Sequence, residues 1–197
     1  NLVYLNKETG KTESRSYAGH IDYRTRYAAV SGNEDVVVYP FGVHDIYSTP
    51  AICQNLNRLI CADAQNSKKL WDFNVGDIDA LAEPVISGDK VYQGTMEGYV
   101  YALNLSGGGS HKLIAWKYKA QGSVNTAVTV ENGSVFFGDN SGVVYCLNEE
   151  DGKPEWKFQV EKPEKGARKH FTTPVFHNNR LYIGGADKHM YCLDAQS

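Results

Sequence analysis

The sequence predicts an all-β fold assembled from repeated, four-stranded antiparallel sheets, because one short motif recurs along the chain. The motif, apolar-Tyr-Cys/Ala-Leu-Asn/Asp, occurs at residues 100–104, 144–148 and 190–194, with a looser copy at 59–63. Its central small residues are 41, 44 and 46 positions apart, at Cys61, Ala102, Cys146 and Cys192. The 13 Tyr and 19 Gly among 197 residues suit strands and tight turns. A period of about 40 to 50 residues is typical of the blades of a β-propeller.

Each unit contains four strand patterns, which we label A to D in chain order. Strand A is short and apolar, strand B ends in glycine, strand C carries the repeated motif, and strand D carries a tryptophan. Polar turns separate strands A and B at residues 87–89, 131–133 and 177–179. Because Gly and Asn tolerate a positive φ, such turns between apolar runs predict antiparallel hairpins. Each unit therefore predicts one four-stranded blade.

The motif spacing divides the chain into a partial β-propeller over residues 1–197. Its parts are a C–D hairpin and connection at 1–26, an irregular blade at 27–73, blades at 80–118 and 123–158, and an incomplete blade at 171–197. Residues 44–56 interrupt the irregular blade, either as an insertion between strands B and C or as a junction of two blades. Because a half-propeller exposes open blade faces, we expect a larger propeller, with the remaining blades in the same or another chain.

The repeat resembles that of a known family. Its best copy runs from Gly138 to Trp156 and reads G-x₃-G-x-V-Y-C-L-N-x₃-G-K-x₂-W, which is similar to the repeat of pyrroloquinoline-quinone-type, or quinoprotein-like, β-propellers. The resemblance implies a domain of about eight blades, of which this chain holds about half. It also implies that the strand-D tryptophan packs against a neighbouring blade. The family includes quinone-dependent and calcium-dependent dehydrogenases as well as non-catalytic members of the outer-membrane assembly lipoprotein type, and it favours a periplasmic or cell-surface location.

The cysteines and tryptophans have structural explanations in this repeat. Cys61, Cys146 and Cys192 share one repeat position with Ala102, and they alternate with Tyr and Leu along strand C. This pattern predicts small residues packed between blades, on the face opposite to Tyr and Leu. The three tryptophans also recur with the repeat, which favours core packing over a stacking platform for a sugar or a quinone. These are Trp71, Trp116 and Trp156.

The sequence shows no motif of a catalytic or metal site. The six His residues form no ligand pair, and Asp77 and Asp79 lack the remaining ligands of a calcium loop. No adjacent cysteine pair, which the resemblance would imply for a quinoprotein dehydrogenase, is present. We therefore predict no catalytic residue, no metal and no cofactor. Pyrroloquinoline quinone and calcium would be expected only if the chain were part of a dehydrogenase.

Charge and hydropathy argue against two classes of partner. The formal net charge of −3 gives no basic field for binding a polyanion, so we predict no nucleic-acid partner. No uninterrupted apolar run approaches the roughly 18 residues of a membrane-spanning helix. A protein partner is the remaining expectation.

The candidate contact residues lie where the regular repeat is broken. The segment 44–56 contains His44, Asp45 and Tyr47, the lengthened C–D turn contains His111, and the basic run 162–170 contains Lys165, Arg168 and Lys169. Variable loops on a rigid scaffold are common contact sites, and the basic run suits an acidic partner. We predict a non-catalytic scaffold for protein–protein contacts, with cell-envelope assembly as the candidate process. A fragment of a quinone-dependent dehydrogenase and a ligand-binding sensor ectodomain are the alternatives.

Overall fold

The computed structural model describes residues 2–5, 12–16, 30–41, 58–75, 82–107, 112–160 and 170–196. The described residues contain β-strands and no helix, so none of them belongs to a helix that could span a membrane. The first two strands, β1 (Leu2–Leu5) and β2 (Thr12–Ser16), form an antiparallel ribbon. The fold class predicted from the sequence, an all-β partial propeller, is confirmed.

Four sheets follow this ribbon, and each has its strands in sequential antiparallel order. Blade two consists of β3 (Ser31–Gly32), β4 (Val36–Phe41), β5 (Arg58–Asp63) and β6 (Lys69–Asn74). Blade three consists of β7 (Val85–Ser87), β8 (Lys90–Gly94), β9 (Tyr99–Asn104) and β10 (Ile114–Lys119). Blade four consists of β11 (Thr129–Glu131), β12 (Ser134–Gly138), β13 (Val143–Asn148) and β14 (Pro154–Gln159). Blade five has three strands, β15 (Val175–His177), β16 (Arg180–Gly184) and β17 (Met190–Asp194).

The repeated motif occupies the third strand of every blade and pairs in the same register each time. Cys146 lies opposite Phe136 on one side and Trp156 on the other, and Cys61 lies in the same way between Val38 and Trp71. The strand pairing of β4 with β5 places both in one sheet, although residues 42–57 between them lie outside the described residues.

In blades two, four and five, the Asn or Asp that ends the motif caps the turn that follows strand C. Oδ1 of Asn148 accepts hydrogen bonds from the backbone N–H groups of Glu150, at 2.9 Å, and Asp151, at 3.3 Å. Oδ1 of Asp63 accepts equivalent bonds in blade two. Such Asx turns replace backbone pairing at the point where the strand ends, which explains the residue types at this position.

Each inner blade buries both of its faces, and the two faces differ. We call the side of a blade that carries the motif Tyr and Leu its tyrosine face, and the opposite side its cysteine face. On blade four, Tyr145 and Leu147 pack with the cysteine face of blade three, whereas Val144 and Cys146 pack with the tyrosine face of blade five. Blades two and three pack in the same order. The first strands of successive blades also contact one another, as expected of strands around a central axis.

The predicted alternation of the motif is confirmed, with one difference in burial. Cys61 and Cys146 are fully buried on the cysteine face, but Cys192 is exposed. The physical reason is that no described residue covers the cysteine face of blade five, whereas the tyrosine face of the next blade covers the other two cysteines.

Candidate functional site

The predicted contact residues all lie outside the described residues, but the structure describes the strands that flank them. These residues are His44, Asp45, Tyr47, His111, Lys165, Arg168 and Lys169. The segment 42–57 joins strands B and C of blade two, 161–169 joins strand D of blade four to strand A of blade five, and 108–111 joins strands C and D of blade three.

The antiparallel order decides which of these connections leave the blades at the same end. B–C and D–A connections share one end of a blade, while A–B and C–D turns share the other. Described contacts show both ends: Asn140 N in a B–C turn donates to Ser123 O in a D–A connection at 2.9 Å, and Leu105 N after a C strand donates to Asp89 O in an A–B turn at 2.8 Å. The connections that carry six of the seven candidate residues therefore leave at one end, and the connection that carries His111 leaves at the opposite end.

The strand-D tryptophans join neighbouring blades. Each indole Nε1–H donates to a backbone carbonyl of the following blade at 2.9 Å, in the pairs Trp71 to Leu105, Trp116 to Glu149 and Trp156 to Ala195. The acceptor is always the residue directly after the motif Asn or Asp. The packing role that the family resemblance implied for these tryptophans is thus seen at all three described interfaces.

A glycine of the repeat is required by one of these tryptophans. Gly152, in the C–D turn of blade four, has a φ of 71° and lies against the indole of Trp116 in blade three. A Cβ at this position would lie 2.6 Å from Cδ2 of Trp116, too close for any other residue without movement of the ring. The glycine of the Gly-Lys pair in the sequence pattern is therefore part of the contact between blades.

Asp139 is a buried carboxylate at the B–C turn of blade four, with only 1% of its surface exposed. Its Oδ1 accepts hydrogen bonds from Ser141 N at 2.9 Å, Ser141 Oγ at 2.6 Å and Val143 N at 3.1 Å. Its Oδ2 accepts from Gly122 N at 2.7 Å and Tyr145 OH at 2.8 Å. Gly122 belongs to the connection from blade three, so this one side chain joins the connection, the turn and strand C.

The neighbouring phenol of Tyr145 is fully buried and holds a fixed position in this network. It accepts a hydrogen bond from Gln121 N at 3.0 Å while it donates to Asp139. Burial is the main reason that the pKa of Tyr145 is raised, and the adjacent carboxylate adds to the rise. The group is therefore a neutral structural donor at ordinary pH rather than an acid or a nucleophile.

Blade five builds a similar contact with a carboxylate from a different position. Gly185 occupies the repeat position of Asp139, and Asp187 accepts hydrogen bonds from His189 N, at 3.1 Å, and from Tyr191 OH. A Cβ at Gly185 would overlap the Asp187 carboxylate. The hydrogen bond from Tyr191 is the largest cause of a lowered Asp187 pKa. His189 Nδ1 lies 3.5 Å from the same carboxylate, but the His189 side chain is 72% exposed.

Glu149 connects blade four to blade three through its side chain as well as its backbone. Its Oε1 accepts hydrogen bonds from Tyr92 OH at 3.1 Å and from Ser87 Oγ at 3.4 Å, both in blade three. Burial, followed by the charge of Glu149, raises the pKa of the Tyr92 phenol. The Tyr92 phenol therefore stays neutral at ordinary pH and donates its hydrogen bond to the Glu149 carboxylate.

The two buried thiols are chemically quiet. Burial raises the pKa of Cys61 to about 12, and burial together with the hydrogen bond to Glu155 raises that of Cys146 to about 12. Because the thiolate is the reactive form, these groups act as small apolar packing residues, as the repeat position predicted.

The described residues do not fit a quinone or calcium site. They contain no group of three or more His, Cys, Asp or Glu side chains that could hold a metal ion. Each described tryptophan donates its Nε1–H to a neighbouring blade, and Trp116 is further covered by Gly152. Asp77 and Asp79 lie outside the described residues.

Sequence reasoning missed the roles of Asp139 and Glu149. The turn Asp139-Asn140-Ser141-Gly142 offered a signal, since Asp favours such turns, but the sister copies place Thr95 and Gly185 at the same position. An aspartate therefore does not recur at this repeat position, so a comparison of the copies gives no sign of the role of Asp139.

Comparison with known proteins gives a family for this architecture. A family model described as outer membrane protein assembly factor BamB matches residues 55–197. The chain belongs to this family. A BamB of Legionella pneumophila is 25% identical over 167 residues, which are 76% of this chain and 41% of the relative. The crystal structure of BamB from Moraxella catarrhalis superposes with a TM-score of 0.62 at 21% identity, covering 85% of this chain and 45% of that one.

A relative with an enzyme name also matches the chain. A polyvinylalcohol dehydrogenase from a Pseudomonas species is 24% identical over 133 residues, covering 64% of this chain and 20% of the relative. The chain spans less than half of the length of each of these proteins. The chain is thus similar to proteins with different names.

Proposed function

We propose that the protein is a non-catalytic β-propeller scaffold for protein–protein contacts in the assembly of outer-membrane proteins. The match of residues 55–197 to the outer membrane protein assembly factor family carries this proposal. The described geometry supports it, since the Trp116 and Glu149 side chains bond to the neighbouring blade and the Asp139 side chain bonds to the connection from blade three. Function in such a scaffold resides in sites on its connections.

The contact surface of this proposal lies at the end of the blades where the B–C and D–A connections leave. It comprises His44, Asp45, Tyr47, Lys165, Arg168 and Lys169, and His111 would make a separate contact at the opposite end. The run 162–170 includes Lys162, Lys165, Arg168 and Lys169 against one acidic residue, Glu164. An acidic protein surface is the partner that this charge suits, because complementary charge steers association.

We propose the same division of the chain into blades that the sequence repeat predicts. Its parts are the hairpin and connection at 1–26, blades at 27–73, 80–118 and 123–158, and an incomplete blade at 171–197, with further blades in the same or another chain. The rigid packing of blades two to five would hold the contact connections in fixed relative positions.

Genetic complementation tests the proposal. In a bacterial strain that lacks its own assembly factor of this family, the full-length protein should restore the amounts of outer-membrane proteins, measured by quantitative mass spectrometry of membranes. Lys165→Glu, Arg168→Glu and Lys169→Glu together should abolish the restoration while the protein stays folded. Reversing three exposed lysines elsewhere, Lys68, Lys153 and Lys157, is the matched control and should restore normally. Equal loss in both triple variants would show that the basic run is no contact site.

A second candidate is part of a quinone-dependent dehydrogenase, which the similarity to the polyvinylalcohol dehydrogenase favours. Equilibrium dialysis of the full-length protein with pyrroloquinoline quinone and Ca²⁺ separates the two proposals. Stoichiometric binding together with oxidation of an alcohol would overturn the scaffold proposal, whereas no binding would overturn the dehydrogenase.

A further inference from the structure

The A–B turns of blades four and five share one backbone form but differ in one residue. In blade four, Asn132 and Gly133 join β11 to β12, with φ angles of 51° and 77°. In blade five, Asn178 and Asn179 join β15 to β16, with φ angles of 49° and 57°. Positive φ at both positions is typical of a two-residue hairpin turn. The sequence contains no Asn-Gly pair other than Asn132-Gly133.

An asparagine that precedes a glycine can lose its side-chain amide without a catalyst. The backbone nitrogen of the glycine attacks Cγ of the asparagine, so that an N–Cγ bond forms, the Cγ–Nδ2 bond breaks, and ammonia leaves with the proton of the backbone nitrogen. Water then opens the resulting succinimide ring. Opening at the side-chain carbonyl gives aspartate, and opening at the main-chain carbonyl gives isoaspartate, which lengthens the backbone by one methylene. Glycine favours the ring because it has no side chain to hinder the approach.

The structure leaves the atoms of this reaction accessible at Asn132 and Gly133. Both residues are exposed, and a Cβ at Gly133 would have no neighbour within 4 Å. Gly133 N donates no hydrogen bond within the described part of the chain. The related pair Asp151-Gly152 is held differently, since Gly152 N donates to Asn148 O at 3.0 Å. The fold therefore favours reaction at Asn132 over reaction at Asp151.

Each A–B turn is tied to the residue that follows the motif in the same blade. The backbone N–H of that residue donates to the carbonyl of the last turn residue, in the pairs Ala64 to Asp35, Leu105 to Asp89, Glu149 to Gly133 and Ala195 to Asn179, at 2.8 to 3.0 Å. In blade four this bond holds Glu149, whose own carbonyl accepts the indole N–H of Trp116 in blade three. The Asn132-Gly133 turn is therefore one hydrogen bond away from the contact between the two blades.

We propose that Asn132 is a site of spontaneous deamidation, and that its conversion to isoaspartate weakens the contact between blades three and four. The added methylene changes the geometry of the turn, so the Gly133 carbonyl no longer reaches Glu149 N. Glu149 also accepts hydrogen bonds from Tyr92 and Ser87 of blade three, so its displacement affects the indole and both hydroxyls. The proposal goes beyond the proposed function and does not depend on it, because it concerns the chemistry of one turn.

The two turns can be compared within one molecule. The full-length protein is kept at neutral pH and 37 °C, and peptides sampled over time are examined by mass spectrometry with electron-transfer fragmentation, which distinguishes isoaspartate from aspartate. Asn132 should deamidate at least about tenfold faster than Asn178, because glycine does not hinder the ring, and isoaspartate should be among the products. Equal rates at the two asparagines, or aspartate as the only product, would overturn the assignment of the site.

Reciprocal substitutions provide the matched controls. Gly133→Asn gives blade four the turn of blade five, and Asn179→Gly gives blade five the turn of blade four. Both residue types adopt a positive φ at this turn position, so both variants should keep the fold. Gly133→Asn should slow the reaction of Asn132 at least about tenfold, and Asn179→Gly should accelerate that of Asn178 by a similar factor. An unchanged rate in either variant would overturn the proposed reaction.

The stability of the product tests the second part of the proposal. Ion exchange separates the deamidated protein by its added charge, and the peptide measurement gives the proportion of isoaspartate in it. The matched control is Asn132→Asp, which has the same charge and an ordinary backbone. The isoaspartate component should have an equilibrium constant for urea unfolding about tenfold larger than that of the control.

The same comparison in a Trp116→Phe background tests whether the loss acts through the contact between blades. The difference between the isoaspartate form and its control should fall to about twofold there, because this contact has already lost its indole N–H. Equal stability of the isoaspartate form and Asn132→Asp, or a difference that Trp116→Phe leaves unchanged, would overturn the link to the contact between blades three and four.

Discussion

Replacing Asp139 should destabilise the protein more than replacing an exposed carboxylate, because Asp139 accepts hydrogen bonds from two buried donors. These donors are Val143 N and Tyr145 OH, in residues with 2% and 0% of their surface exposed. A buried donor that loses its partner costs about 1–3 kcal/mol, so Asp139→Ala should lower the free energy of unfolding by about 4 kcal/mol. Gly122 N and Ser141 N also lose an acceptor, but their residues are only half-buried and can be hydrated.

Asp139→Asn should give an intermediate loss of about 2 kcal/mol. Both carboxylate oxygens accept from at least two donors, so an amide NH₂ must face a donor whichever way it is oriented. The assay is urea unfolding followed by tryptophan fluorescence and circular dichroism. Asp151→Asn, in the exposed turn of the same blade, is the control and should leave the free energy of unfolding close to that of the unsubstituted protein, because solvent screens its ion pair with Lys153. Equal stability of Asp139→Ala and the control would refute the reasoning.

Three further outcomes follow from the described contacts. Trp116→Phe should lower the free energy of urea unfolding by about 1 kcal/mol or more, because it removes the Nε1–H bond to Glu149 and part of the packing; full stability would contradict the role of the indole in joining blades. At pH 8 a maleimide should leave Cys61 and Cys146 unlabelled until urea unfolds the chain, since burial raises the pKa of both thiols to about 12; labelling of these two thiols at the same rate in the folded and the unfolded chain would contradict their packing. The hydrogen bond from Tyr191 holds the folded pKa of Asp187 below the ordinary aspartate value, so the contribution of Asp187 to stability is present above that ordinary pKa of about 4 and is lost as the pH falls through the folded pKa. Tyr191→Phe should therefore weaken the pH dependence of unfolding in acid, and an unchanged dependence would contradict the Tyr191–Asp187 bond.

The blade architecture could be predicted from the sequence because it depends on local patterns that repeat. The motif strand alternates between two buried faces, and this alternation alone predicts that Cys146 and Tyr145 lie on opposite sides of the sheet, as they do. Turn residues with positive φ, such as Asn132 and Gly133, mark the hairpins in the same local way. Each of these signals is present in several copies, so an irregular copy can be interpreted by comparison with the regular ones.

The contacts between blades could not be predicted in detail, because they depend on residues far apart in the sequence. Glu149 lies 57 residues from Tyr92, and nothing in either local sequence identifies the other as its partner. Asp139 and Asp187 each accept a hydrogen bond from the motif tyrosine of their own blade, but from different repeat positions. An alignment of the copies therefore does not show that the two aspartates have related roles. The exposure of Cys192 depends on what covers blade five, and a repeat position alone does not contain that information.

The central claim is that protein partners contact the connections where the repeat is broken, at one end of a rigid propeller. Photo-crosslinking in intact cells tests it most directly, with benzoylphenylalanine introduced singly at Tyr47 and Arg168 and, as the control, at Lys153 in a regular turn. The account predicts crosslinks to a protein partner from Tyr47 and Arg168 and none from Lys153. Crosslinking from Lys153 but from neither connection would contradict it.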